Sequence, residues 1–97
     1  MKQKILERIV EKEERCRDDF KYTYELILRE GKRVADFRLP LYSIRVSMTD
    51  PKGNSSEKEV NDLFTNPDRA VEFFNKLVRN LATPIDLGYV VEDEVRN

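Results

Sequence analysis

Three acids in a row, Glu92, Asp93 and Glu94, stand near the end of a 97-residue chain that has no histidine and one cysteine, Cys16. Carboxylates are therefore its only abundant groups able to hold a cation or move a proton. On a helix successive residues point about 100° apart, so these three diverge. Only Asp86 and Asp93 share a face, and no further ligand joins them. The stretch DPKGNSSEKE from Asp50 lacks the Asp/Asn ladder of a calcium loop. The plainer reading is the solvated side of a helix, and no metal is expected. Acids near a helix C-terminus cost about 0.3–1 kcal/mol each. That is consistent with contact to a basic partner or with simple tolerance.

Other chemistries lack their parts. Without histidine the usual general base, triad partner and commonest metal ligand are missing. One cysteine cannot build a zinc site, and Cys16 sits among Glu13, Glu14, Arg15, Arg17, Asp18 and Asp19, with no one-sided field to activate a thiolate. Gly31, Gly53 and Gly88 are too scattered for a phosphate-cradling loop. A glycosidase-like carboxylate pair is formally available, but no spacing selects one. We expect no enzyme and no cofactor.

Composition gives one domain spanning 1–97. At 39% hydrophobic and 38% charged residues, the chain can bury about 60–70% of its unfolded surface, enough for one core and little enclosed cavity. Net charge is −1. Residues 1–38 carry +2 and residues 39–97 carry −3, with acids beside nearly every basic cluster. That pattern argues against nucleic acid as a partner, although Arg15, Arg17, Lys21, Lys32 and Arg33 are the residues such a role would use. No apolar run suits a signal peptide or a membrane span, and the lone cysteine suits a reducing compartment. A cytoplasmic protein is expected.

The elements that position these residues are legible in part. Phe20, Tyr22, Tyr24, Leu26 and Leu28 alternate with polar residues and Ile27, which predicts a strand covered on one face. Core is preferred over a base-stacking platform for these aromatics, because an amphipathic helix needs that face. EGKRVADFRLP reads as a connection punctuated by Gly31 and Pro40. Tyr42, Ile44, Val46 and Met48 alternate with Ser43, Arg45, Ser47 and Thr49 in a second strand. DPKGNSS is a turn, and residues 58–64 form a weaker strand. Ile5, Leu6, Ile9 and Val10 fit helical spacing slightly better than an edge strand ending in a turn at CRDD.

Two helices follow. Asn66 caps the first and Pro67 takes its first position. Ala70, Val71, Phe74, Leu77, Val78 and Leu81 form its apolar stripe, and it ends near Ala82. Thr83-Pro84-Ile85-Asp86 matches a capping box, so a second helix runs to about Val95. Leu87, Val91 and Val95 line one side with Val90 beside them, and Gly88 offers room for another backbone.

The order of pieces resembles a small family of unknown function from anaerobic Gram-positive bacteria. The shared features are a Tyr-rich strand (YTYELIL), a short strand (YSIRV), EVNDLF, and the tail LVRNLATPIDLGYVVEDEV. In the tail, Thr83, Pro84, Ile85, Leu87, Val91, Glu92 and Asp93 match a Thr-Pro-aliphatic-x-Leu step and a Val-Glu-Asp end. The resemblance covers most of residues 20–95. Glu94-Val95 departs from the family's frequent large apolar end. The resemblance implies an N-terminal strand, and it implies no activity and no catalytic residue.

Together these readings predict an α+β fold, an antiparallel meander sheet of about four strands with two C-terminal helices packed on one face. The alternative has an N-terminal helix and three strands. The expected function is a non-enzymatic interaction or regulatory module, binding a protein partner or itself. Ile27, Ile85, Tyr89 and Glu92 are the candidate contacts; the plainer reading of Ile27, Ile85 and Tyr89 is that they finish the core, since single exposed apolar residues are ordinary. The alternative is a small-molecule or nucleotide sensor with a pocket between sheet and helices near Tyr42 and Arg45.

Overall fold

The computed structural model describes residues 6–34 and 37–96. Its elements are β1 (Leu6–Arg17), β2 (Phe20–Val34), β3 (Phe37–Thr49), β4 (Ser55–Phe64), α1 (Pro67–Arg79) and α2 (Pro84–Arg96). The strands form one antiparallel sheet in the order β1-β2-β3-β4, with both helices on one face. This is the α+β meander expected from the sequence. Its extents, 49 × 34 × 18 Å, are those of a slab two layers thick.

Leu6–Arg17 is a strand, paired with β2 from end to end except at one bulge. A bulge between Ile9 and Glu11 explains why its pattern imitated a helix. The extra residue, Val10, packs against the core while Ile9 stays opposite Ile27 on the other face. Ile5 lies outside the described residues. β1 and β2 join through Asp18 and Asp19, both left-handed at φ 52° and 67°, the two-residue turn that matches strand twist.

The stretch read as a connection is instead hairpin ladder: Lys32, Arg33 and Val34 pair with Leu39, Arg38 and Phe37. Local breakers were overridden by the tertiary pairing. The register shifts between Glu30 and Lys32, which places Gly31 at the irregularity. Pro40 lies beyond the last β4 pairing, Tyr42–Phe64, so it owes no hydrogen bond to that neighbour.

At the β3–β4 turn, the Asp50 carboxylate accepts from the amides of Lys52 and Asn54, both at 2.9 Å. These bonds, Asn54's foremost, hold Asp50 below the usual carboxylate range. Gly53 takes φ 90° there, which side chains disfavour. Later in β4, three residues oppose Ser43 alone. The buried Ser43 hydroxyl accepts from the Asp62 amide at 3.0 Å, and Asp62 is left-handed at φ 55°.

Asn66 caps α1 as expected, accepting from Asp68 and Arg69. The helix ends at Arg79 rather than near Ala82. Leu81 donates to Val78 and Ala82 to Leu77, at 3.2 and 3.1 Å. This is a Schellman closure with leucine, at φ 50°, where glycine is usual. The predicted stripe is rotated: Ala70, Phe73, Phe74, Leu77 and Val78 are buried, whereas Val71 is exposed. Phe64 draws Phe73 inward, with ring centroids 5.3 Å apart. The capping box of α2 is reciprocal, Thr83 amide to Asp86 carboxylate and Asp86 amide to Thr83 hydroxyl, both 3.1 Å.

The core lies between the helices and the face carrying Tyr24, Leu26, Ile44 and Val46, closed by Phe74, Leu77 and Leu87. Each of these large side chains contributes about 1.5–3 kcal/mol of burial.

Candidate functional site

The site begins with how α2 is set down. Leu87 is fully buried and fixes the helix rotation. Residues 85 and 89, one turn apart, then face away from the core. Ile85 is 76% exposed and Tyr89 68%, far from the usual environment of such side chains. They line a groove of about 550 Å³ between α2 and the start of β4, with Pro84, Gly88 and Glu92 on the helix side and Ser56, Glu57 and Lys58 on the strand side. Gly88 does not admit another backbone. A Cβ there would meet the Lys58 side chain, Nζ at 3.6 Å and Cε at 3.9 Å.

The opposite face of the sheet is polar and layered with ion pairs. Arg45 draws in three carboxylates, Glu59 at 2.8 Å, Glu57 at 2.9 Å and Glu25 at 3.4 Å. The hydrogen bond to Glu59, foremost, pushes its pKa further up. Arg29 reaches Glu7 on β1 and Asp62 on β4, both at 3.8 Å, and its Nε is buried without a hydrogen-bond partner among the described residues. Ile27 and Ser43, each 1% exposed, lie between these two arrays.

Three of the four predicted contact residues, Ile85, Tyr89 and Glu92, therefore come together. Ile27 does not join them. Ile27 stands out in the sequence because it interrupts a polar strand face, which fits a contact residue or one that finishes the core. It is buried because long paired side chains extend beside it at the middle of the sheet. Tyr42 and Arg45 cannot share a pocket. Tyr42 packs against the core and Arg45 belongs to the other face, as their odd spacing on one strand requires. Among the terminal acids, Glu94 pairs with Arg69 of α1 at 3.3 Å, and Glu92 borders the groove. Of the basic residues considered for nucleic acid, Arg15 pairs with Glu13 at 2.8 Å and Arg17 lies 3.9 Å from Asp18. The side chains of Lys32, Arg33 and Val95 lie outside the described residues. The strand half of the groove, Ser56, Glu57 and Lys58, escaped the sequence reading. Its residues look like any polar edge until α2 is placed beside them. No helix among the described residues is long and apolar enough to cross a membrane.

The architecture is thus a four-stranded antiparallel sheet backed by a helical pair, with an open groove where the second helix meets the edge strand. The chain belongs to a family of unknown function, DUF6514, which it matches over residues 2–97. No curated protein and no solved structure matches it.

Proposed function

We propose that this chain is a non-enzymatic protein-interaction module, and that its contact surface is the α2–β4 groove. The observation that carries the reading is the exposed pair Ile85 and Tyr89, side by side on one helix face and rimmed by charged residues. An apolar centre with a polar rim is the usual anatomy of a binding patch. Aromatic side chains such as tyrosine are common anchors there.

The test is affinity capture from host lysate at low and high salt, with wild type and an Ile85→Ser/Tyr89→Ser double variant. The expected result is a stoichiometric protein that survives high salt on wild type and is lost from the variant. Equal capture by both, or none by either, overturns the assignment.

A groove of this volume also falls in the range of small-ligand clefts, which supports the sensor reading at this new location. A melting shift with metabolites or nucleotides that the double variant abolishes would favour it.

A further inference from the structure

β4 ends the sheet. It pairs with β3 and, among the described residues, with no other strand. Every second amide and carbonyl along its outer edge therefore points away from the ladder. Residues 55–59 of that edge are exposed, and residues 56–58 form one wall of the groove whose other wall carries Ile85 and Tyr89. A strand edge beside an apolar helix face offers two things at once: a hydrogen-bonding ladder, and pockets for alternate side chains.

Charge selects what fits. Side chains of an added strand would alternate between the groove and the polar face. On the polar face they would stand beside Glu57 and Glu59. There one guanidinium, Arg45, faces three carboxylates, Glu25, Glu57 and Glu59, which leaves the cluster negative. Lys12 is opposite Glu25 across the β1–β2 ladder and lies 3.9 Å from Glu14, and Lys58 turns to the groove. Cationic residues are therefore favoured on this side and apolar residues on the other.

The same charges disfavour a second copy of the chain. Antiparallel self-pairing about a two-fold axis normal to the sheet sets each residue against one of the same face. Registers centred on Glu57, Lys58 or Glu59 then oppose like charges, which is destabilising.

Resting on the interaction reading above, we propose that the groove receives an extended partner segment as a fifth strand beside β4. In this segment apolar residues facing Ile85 and Tyr89 alternate with lysine or arginine facing Glu57 and Glu59.

The probe is an end-blocked peptide of alternating lysine and valine, titrated into the ¹⁵N-labelled chain. Its controls are an alternating glutamate–valine peptide and a lysine–valine peptide of the same composition in two blocks. The expected result is perturbed amide resonances in residues 56–59 and 85–92, with slowed exchange of outward β4 amides. Affinity should exceed that of both controls by about tenfold. The Ile85→Ser/Tyr89→Ser variant should weaken binding about tenfold, and Glu57→Lys should narrow the preference over the acidic peptide. Equal affinity for basic and acidic peptides, or binding without protection of β4 amides, overturns strand addition. So does concentration-dependent dimerisation that protects the same amides without peptide. Failure of the peptide alongside successful groove-dependent capture from lysate overturns this inference alone. Failure of both removes the interaction reading as well.

Discussion

The hydroxyl of Tyr24, on a central strand, donates a 2.9 Å hydrogen bond to the carbonyl of Ala82, in the turn between the two helices. Tyr24 is fully buried, and burial foremost, with Tyr22 next, pushes its pKa up from 10.0 to about 12. This bond ties the helix–helix turn to the sheet. Tyr24→Phe should cost about 1–3 kcal/mol, because the Ala82 carbonyl loses its side-chain donor. Urea unfolding would read this as a lower midpoint with unchanged slope. The raised pKa adds a pH signature. The folded state favours the protonated phenol, so its stabilisation is complete below pH 10 and is lost as pH rises from about 10 to about 12. The difference between wild type and Tyr24→Phe should shrink over that window.

Gly88 is a helix-interior glycine with room for a methyl group. Its nearest neighbours are the flexible end of Lys58, at ordinary contact distance. Gly88→Ala should stabilise the fold by about 0.5–1 kcal/mol, seen as a higher melting temperature. A loss of stability would mean that backbone, not Lys58, occupies that space.

The β1–β2 turn places two aspartates at positive φ. Asp18→Asn with Asp19→Gly supplies residues that adopt this conformation readily and removes two like charges. A gain of about 1 kcal/mol is expected by denaturant titration.

Arg45 neutralises Glu25, which is 8% exposed. Arg45→Met should cost about 2–4 kcal/mol, since a buried carboxylate is left among other acids. Glu57→Gln, on an exposed partner, should cost no more than about 0.5 kcal/mol. Comparable losses for the two variants would show that the array is not organised around Glu25.

Ile85 and Tyr89 make little use of the fold, given their exposure. Ile85→Ser and Tyr89→Ser should each change stability by less than about 0.5 kcal/mol. Their circular dichroism and melting should match wild type. A large loss in either would assign that side chain to the core instead of the groove.

The sequence by itself determined the elements whose signals are local. Alternation fixed the first part of β2 and the last part of β3, because a strand has only two faces, but not their shared ladder through residues 32–34 and 37–39. Asn66-Pro67 and the Thr83–Asp86 box fixed both helix starts, because capping is settled within four residues. The groove residues on α2 were legible as apolar positions off the buried stripe. Tertiary structure decided what depends on which surface arrives opposite. Phe73 and Val71 flank the α1 stripe from either side, and it is Phe73, packed against the Phe64 ring, that is buried. Ile9 and Val10 fit a helix until pairing with β2 forces a bulge that sends them to opposite faces. Ile27 interrupts a polar face in the sequence, and only the sheet sets it between Glu25 and Arg29 paired with Arg45 of β3 and Asp62 of β4. Ser56, Glu57 and Lys58 become a binding wall only once Leu87 has seated α2 beside them. In each case the deciding partner lies outside the local segment, where periodicity carries no information about it.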